Sequence, residues 1–417
     1  MKRNRVWFVL AGCMLFYGAM MGILFNCAGV LINSIIQTEG YTSSSISSYY
    51  TLRGLVSTIA MIFTAKLLTK VNIKLMAVIV GLTGSLSFLL MSVYTQPWQW
   101  AISGILHGIA SSLTMLLPTS VIRVWFVKNR GTFMGAYMML SGVIGAIFNP
   151  IAGRLILSIG WRKTAVILAA IAFSIVFTGA MLIVRKPSDV GALPYGGEEE
   201  TASANNASSV KDKHVPFKLG TYLYIFCSIT IAGLAIQMVS YIPQYASSLG
   251  YDTMIGARMT SILMIGNTSS KLLFGLCSDY VGLWRSVQIF LGLIGTGTLI
   301  LIVGSGVPAL LYAGALLLGF GYMNGVANSL VSAEIFDPDQ FEIHYSRISM
   351  FSGLSTAIFP TITSGVFDST GSFKPVFAVI TVWLFAAILL VSLRKQFGIV
   401  KYQPSNDTDF LGTESDE

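Results

Sequence analysis

Two basic residues, Lys271 and Arg53, lie inside long apolar stretches of the sequence, whereas no Asp or Glu falls in the middle of any such stretch. A charged side chain in apolar surroundings is costly unless it is paired or hydrated. Unpaired positive charge there suits an anionic ligand, because the ligand becomes the missing counter-ion. Each residue also has an alternative explanation. For Lys271 it is a side chain that reaches water by snorkelling, and for Arg53 it is a link between neighbouring helices through backbone carbonyls.

Several polar residues in other apolar stretches are further candidates for the same site. His107 is the only His inside such a stretch, where it either titrates or stays neutral as a hydrogen-bonded packing residue. Side chains that can orient a carboxylate or a hydroxyl are Asn26, Gln237, Tyr241, Tyr322 and Asn324. The tyrosines equally fit a belt at a membrane interface.

The composition places these stretches in a membrane. Of 417 residues, 54% are hydrophobic and only 11% are charged, with a mean hydropathy of +0.73, which is too apolar for a water-soluble fold. A bilayer core about 30 Å thick is crossed by roughly 20 apolar residues of helix. We therefore predict an all-α membrane protein with twelve transmembrane helices, at 7–36, 45–68, 73–94, 98–124, 132–158, 163–184, 218–246, 254–277, 285–304, 308–335, 345–368 and 374–394.

The basic residues indicate the orientation of these helices, because loops rich in Lys and Arg stay in the cytoplasm. They collect before the first helix, in alternate loops and after the last helix, with Arg162, Lys163 and Lys374 as exceptions. This pattern predicts a multi-pass protein of the cell (inner) membrane with both termini cytoplasmic. The net charge of +8 is then explained by the basic residues of the cytoplasmic loops, and no nucleic-acid partner is expected.

The sequence offers no motif for catalysis or for metal binding. Cys13, Cys27, Cys227 and Cys277 fall singly in predicted helices, without the close pairing of a zinc or redox site. A nucleophile elbow, a phosphate loop and a His/Glu metal motif are all absent from the sequence. We expect neither enzyme activity, nor a metal, nor a cofactor.

A polar segment divides the predicted helices into two sets of six. Residues 185–217 are rich in Gly, Pro, Ser, Asn and charge, which is typical of a flexible cytoplasmic linker. The predicted domains are an N-terminal six-helix bundle at 1–184, a C-terminal bundle at 218–396 and a cytoplasmic tail at 397–417.

The two sets contain matching segments in equivalent helices. Residues 142–148 and 353–359 both begin with Gly, end in Ala-Ile-Phe and precede another Gly at the same spacing. Residues 107–113 of the fourth helix are matched by 324–330 of the tenth. Transporters are commonly built from such repeats.

A loop motif in the second half resembles one of the major facilitator superfamily. The superfamily carries a Gly, an Asp, a Gly and a basic residue between the second and third helices of each half, matched here by Gly275, Asp279, Gly282 and Arg285. In the first half Thr69 and Asn72 replace the Asp and the second Gly. The resemblance implies two pseudo-symmetric six-helix bundles, and we expect Asp279 and Arg285 to form a gating pair that holds the halves closed inside. A solvated loop pair of little energetic effect is the alternative.

Three further segments are similar to the monocarboxylate transporter and oxalate/formate antiporter branch of that superfamily. They are residues 125–131 with Gly160-Trp161-Arg162, residues 186–196, and residues 267–279. The resemblance implies that Lys271 stands where the branch has an Arg that pairs with a substrate carboxylate. Lys lacks the bidentate fork of Arg, so we expect it to discriminate less strictly between different orientations of a bound carboxylate.

Two departures limit what the branch implies. Asn267 replaces an Asp found in many monocarboxylate transporters, and residues 346–366 lack the second Lys typical of oxalate exchange. A clamp for a dicarboxylate is therefore disfavoured. Proton coupling would then proceed through protonation of the substrate or deprotonation of Lys271. The remaining possibility is simple exchange of anions.

The sequence therefore predicts a secondary active transporter of a small organic anion, a monocarboxylate, by proton symport or anion exchange with alternating access. The expected partners are this anion, a coupled proton in the case of symport and the lipid bilayer, and the chain is expected to be a monomer. One alternative is a transporter of a neutral solute or a drug exporter. A receptor with a transporter-like fold is an alternative of another class.

Overall fold

The computed structural model describes residues 4–41, 43–196, 219–225, 227–228, 232–397 and 399. Within them the chain is almost entirely helical and contains no β-strand, only an isolated bridge between Phe126 and Tyr195. The helices of the first half are α1 (Arg5–Tyr17), α2 (Asn26–Glu39), α3 (Ser43–Lys70), α4 (Ile73–Met91), α5 (Trp100–Trp125), α6 (Arg130–Ile159) and α7 (Trp161–Leu182). Those of the second half are α8 (Leu219–Ile225), α9 (Ala232–Gln237), α10 (Ile242–Ser248), α11 (Thr253–Val281), α12 (Leu283–Val303), α13 (Pro308–Gly319), α14 (Asn324–Ile335), α15 (Phe341–Thr370) and α16 (Lys374–Ser392).

Each of the twelve predicted crossings coincides with a helix or with a run of consecutive helices. The first crossing joins α1 to α2, the seventh contains α8 to α10, and the tenth joins α13 to α14. Eight helical stretches among the described residues are long and apolar enough to span a bilayer. Three of the other crossings, α3, α11 and α15, contact the opposite half of the protein, where α11 packs against α6 and α15 against α3.

The contacts between the halves repeat with pseudo-symmetry. A Cβ on Gly142 of α6 would lie 2.4 Å from the Thr268 hydroxyl oxygen of α11, and a Cβ on Gly353 of α15 would lie 2.4 Å from the Thr58 hydroxyl oxygen of α3. Small residues at such positions let membrane helices approach closely. The matching segments 142–148 and 353–359 therefore make equivalent contacts in the fold.

The halves are packed together at one end of the bundle, where α11 ends and α6 begins, which we call the latch end. There a Cβ on Gly275 would lie 2.1 Å from the Gly131 carbonyl oxygen. Toward the opposite end, Gly54, Gly153 and Gly365 have open space around their Cβ positions among the described residues. Close packing of the two halves is thus observed at the latch end.

A larger residue at Gly275 should disrupt this contact. In Gly275→Val the new side chain would overlap the backbone of Gly131, so we expect a loss of about 1–3 kcal/mol of stability, the usual range for overpacking. The melting temperature of the detergent-solubilised protein measures this loss. Gly153→Val, which places the same side chain in open space on α6, is the control and should leave that temperature unchanged.

Part of the predicted linker is packed against the first half. The Tyr195 amide donates to the Trp125 carbonyl (2.8 Å), and the Val127 amide donates to the Tyr195 carbonyl (3.0 Å). The rings of Phe126, Phe133 and Tyr195 pack together beside these bonds. Residues 185–196 are therefore part of the N-terminal bundle's surface, while the remaining linker residues 197–217 lie outside the described residues, as does nearly all of the predicted tail at 397–417.

Candidate functional site

Lys271 lies well inside α11, at the interface between the halves, and only 9% of its surface is exposed. Its Nζ donates to the Ser141 Oγ of α6 at 3.3 Å and sits 5.7 Å from the centre of the Tyr322 ring. Among the described residues, no carboxylate forms an ion pair with Lys271. The charge of Lys271 is therefore held by a hydroxyl and an aromatic face and has no anionic partner in this part of the chain.

Ser141 connects Lys271 to the first crossing. The Asn26 side-chain amide donates to the Ser141 carbonyl at 3.3 Å, and the Tyr17 hydroxyl faces the Ser141 side chain. Asn26 is exposed, and its Nδ2 would lie 2.5 Å from a Cβ on Gly145 of α6. The structure thus brings together Asn26, Lys271 and Tyr322, three of the residues predicted from the sequence.

Three tyrosines that the sequence analysis did not select lie close together near Ser141, the hydrogen-bond partner of Lys271. Tyr17, Tyr137 and Tyr345 are buried, and the Tyr137 hydroxyl is 2.5 Å from the Thr119 hydroxyl oxygen. The Tyr17 and Tyr137 rings meet edge to face with centres 5.1 Å apart. Tyr137 precedes Ser141 by one helical turn on α6, and this spacing is the signal that could have identified it.

The three crossings that carry Asn26, Tyr241 and Tyr322 each depart from regular α-helix next to these residues. A π-helix at Gly18–Phe25 precedes Asn26, and 3₁₀ segments at Met238–Tyr241 and Phe320–Met323 contain Tyr241 and Tyr322. Such irregular turns redirect side chains and often mark functional sites. Within a membrane they are tolerated where the backbone lines a cavity or is buried in protein.

Two asparagines contribute unpaired acceptors beside this region. The Oδ1 atoms of Asn267 and Asn324 are buried, and neither has a hydrogen-bond partner among the described residues. Asn267 precedes Lys271 by one turn of α11, so both side chains lie on one helical face. Leaving a buried acceptor unsatisfied costs about 1–3 kcal/mol, and a ligand with a hydrogen-bond donor would remove that cost.

Arg53 and His107 form a second cluster that adjoins the first. The Arg53 guanidinium carbon lies 4.1 Å from the centre of the Phe25 ring and 5.3 Å from that of Tyr50. His107 is fully buried, and its Nδ1 is 2.8 Å from the Tyr49 hydroxyl oxygen. Arg53 is thus held by cation–π contacts, and His107 is placed as a hydrogen-bonded packing residue.

The remaining candidates of the seventh crossing lie at the end of α9 and just after it. Gln237 and Tyr241 are both partly buried, and the Tyr241 ring packs against Phe373 at the start of α16, with centres 5.5 Å apart. Phe373 marks the end of the bundle opposite the latch end. The structure therefore places Tyr241 toward the end of the bundle opposite the latch end.

Asp279 links the halves directly, although not through the predicted partner. Its carboxylate accepts hydrogen bonds from the Gly131 amide (2.9 Å), the Thr132 amide (2.6 Å) and the Thr132 hydroxyl (2.6 Å) at the start of α6. Arg285 is exposed on α12, and no ion pair joins it to Asp279 among the described residues. The expected Asp279–Arg285 pair is thus wrong, because the free amides of a helix start carry partial positive charge and need an acceptor, whereas an exposed guanidinium is already solvated.

Comparisons with known proteins place this geometry in a family. The Major Facilitator Superfamily profile matches residues 8–333. The "MFS-type transporter pynF" of Aspergillus niger is 23% identical over 290 residues, which are 69% of this chain and 64% of that protein, so the chain spans somewhat less than two thirds of its length. The "Uncharacterized MFS-type transporter YhjX" of Escherichia coli K12 is 24% identical over 318 residues, covering 75% and 77%. The crystal structure of the human organic anion transporter MFSD10 superposes with a TM-score of 0.66 at 14% identity, covering 94% of this chain and 99% of that one.

Proposed function

The chain belongs to the Major Facilitator Superfamily and is a membrane transporter, and we propose that its cargo is a small organic anion, specifically a monocarboxylate. The observation that carries this proposal is the Lys271 ammonium, which is almost fully buried between the halves and has no carboxylate partner among the described residues. Transport would proceed by proton symport or anion exchange, with the two halves rocking around Lys271.

Electrostatics favours an anion over other cargo classes at this position. A cation would meet the like charge of Lys271 in a region of low dielectric, where repulsion is strong. A neutral solute would leave the ammonium without a counter-ion, which is unfavourable for a buried charge. A single carboxylate matches a single ammonium, so the proposal is a monoanion.

The polar groups around Lys271 support a carboxylate that also carries a hydroxyl. A hydroxyl can donate to the unpaired Oδ1 of Asn267 or Asn324 while the carboxylate contacts Lys271. The exposed amide of Asn26 offers an additional donor. The human protein MFSD10 is an organic anion transporter, which agrees with this cargo class, although at 14% identity the likeness itself concerns the fold.

The position of the closed end supports an outward-facing arrangement. Lysines 66, 70 and 74 lie at or near the latch end, and loops rich in Lys and Arg stay in the cytoplasm. We therefore assign the latch end to the cytoplasm, so that the site is reached from the outside. Opening of the latch end with closure of the other end would complete alternating access.

Uptake into proteoliposomes tests the cargo class. Radiolabelled lactate and pyruvate should accumulate faster than in protein-free vesicles, and an inwardly directed proton gradient should accelerate uptake if transport is by symport. Lactamide, the neutral amide of lactate, is the matched comparison and should enter at the protein-free rate. Uptake of lactamide equal to that of lactate would contradict the proposal and favour a transporter of neutral solutes.

A further inference from the structure

Arg53 is a second cation inside a predicted crossing, and the transport site built around Lys271 does not use it. Its guanidinium carbon lies 4.1 Å from the centre of the Phe25 ring, and the guanidinium lies beside the Tyr49 hydroxyl. Among the described residues, Arg53 forms no ion pair and donates no hydrogen bond to a backbone carbonyl of another helix. The contacts in this part of the chain therefore do not support Arg53 as a link between helices through backbone carbonyls.

The N–H groups of Arg53 are available to a ligand. Aromatic rings stabilise the charge of a guanidinium but supply no conventional acceptor for its five N–H groups. The Tyr49 hydroxyl can accept one of them, and no Arg53 nitrogen is among the buried side-chain atoms without a partner. The other N–H groups therefore reach the surface, where a carboxylate can accept two of them side by side.

Arg53 faces the first crossing, which also carries Asn26 of the Lys271 site. Phe25 directly precedes Asn26, and the Asn26 amide donates to the carbonyl of Ser141, whose hydroxyl accepts from Lys271. A charged side chain inside a membrane faces the protein interior or a water-filled cavity. Arg53 and Lys271 therefore adjoin the same stretch of the first crossing.

Arg53 lies farther from the latch end than Lys271. Thr58 and Thr268 are equivalent, because each faces a glycine of the opposite half, and such halves are related by an axis along the membrane normal. Arg53 precedes Thr58 by five residues, whereas Lys271 follows Thr268 by three, toward the latch end. Eight residues of helix rise by about 12 Å, so an anion that enters from the outside meets Arg53 first.

We propose that Arg53 is an outer binding station for the cargo, which holds the carboxylate before it moves inward to Lys271. This inference rests on the proposed function, since the ligand is the same monocarboxylate. A cation on the entry path raises the local concentration of an anion, and the planar fork of Arg orients its carboxylate. Arg53 thus determines how readily the cargo is captured, and Lys271 determines whether it is carried.

Uptake kinetics in proteoliposomes separates these two roles. In Arg53→Gln the half-saturation concentration for external lactate should rise about tenfold, while the maximal rate stays within about twofold of the wild-type rate. Arg258→Gln removes an exposed cation on the outer part of α11 and should change neither quantity. An unchanged half-saturation concentration in Arg53→Gln overturns the inference, as does a maximal rate as low as that of Lys271→Gln. Failure of the proposed function looks different, because the wild type itself would then take up no lactate.

Gly29 offers a variant that keeps Arg53 and its ring contacts. Gly29 follows Phe25 by one helical turn, so a side chain there lies on the face that carries Phe25, and no described atom lies within 4 Å of its Cβ position. In Gly29→Asp the new carboxylate becomes the counter-ion of Arg53, so the half-saturation concentration should again rise about tenfold. Gly29→Asn has the same size without the charge and should keep the wild-type value. Equal effects of the two substitutions would show that size is the cause and would count against the inference.

Saturation-transfer NMR of lactate on the detergent-solubilised protein tests binding without transport. In Lys271→Gln the lactate signal should persist, because Arg53 still binds the carboxylate. The signal should be lost in Lys271→Gln/Arg53→Gln and retained in Lys271→Gln/Arg258→Gln. No signal in Lys271→Gln, or an equal signal in the variant that also lacks Arg53, overturns the inference.

Discussion

Lys271→Gln should lower the initial rate of monocarboxylate uptake by about a hundredfold or more, because removing one partner of a buried charge pair typically costs about 3–5 kcal/mol. The pair here consists of the ammonium and the bound carboxylate. Gln preserves the approximate length and the hydrogen-bonding capacity of the side chain, so the loss reports the charge. Uptake at substrate concentrations well below saturation measures it.

Two variants make this result specific to the site. Lys271→Arg keeps the positive charge and should retain uptake with altered selectivity among carboxylates, because Arg presents a planar fork. Arg258→Gln removes a cation nearer the other end of α11 and should transport normally. Lys271→Gln should also melt at an equal or higher temperature, since it removes a buried charge. Wild-type uptake by Lys271→Gln would show that the cargo is held elsewhere.

The crossings of the bilayer could be predicted because hydropathy over about 20 residues depends on composition alone. Interruptions of the regular α-helix within these crossings could not be predicted from the sequence. The π-helix at Gly18–Phe25 and the 3₁₀ segment at Phe320–Met323 lie in strongly apolar sequence, and no turn motif marks either of them. The first of them packs closely on α6, where a Cβ on Gly22 would lie 2.6 Å from Ile144, and this contact between helices distant in sequence is visible only in the folded chain.

The candidate site was predictable in its charge but not in its surroundings. Lys271 could be selected because a cation in an apolar run is rare and costly. Tyr17 and Tyr137 could not, since an aromatic residue in an apolar helix fits a core, an interface or a cavity equally well. Ser141, the hydrogen-bond partner of Lys271, lies in the other half of the fold, and this pairing appears only once the two halves are assembled.

The partner of Asp279 shows a different limit. Its three hydrogen bonds include two to the backbone amides of Gly131 and Thr132, and every non-proline residue carries such an amide. A comparison of side chains alone therefore pairs Asp279 with the nearest cation, Arg285. Helix starts should be considered as partners whenever an acidic residue at a helix end has no clear side-chain partner.

Asp279→Asn should shift the protein from the state closed at the latch end toward the open one by about tenfold or more, since hydrogen bonds to charged groups contribute about 1.5–3 kcal/mol each. Asn keeps the shape of the side chain but loses the negative charge that faces the start of α6. Spin labels at positions 128 and 280, both exposed at the latch end, would report the separation of the halves by pulsed dipolar spectroscopy, in a chain whose four native cysteines are replaced. The long-distance population should rise in the variant.

Asp252→Asn is the matched control for this experiment. Asp252 also caps a helix, accepting from the Ile255 amide at 2.9 Å at the start of α11, but both residues belong to the second half. Its loss should lower stability slightly, by the roughly 0.5–2 kcal/mol of an N-cap, and leave the distance distribution unchanged. If both variants open the latch end equally, the effect is one of general destabilisation. If neither does, the three hydrogen bonds of Asp279 do not control closure, and the Gly131–Gly275 contact must hold the halves together.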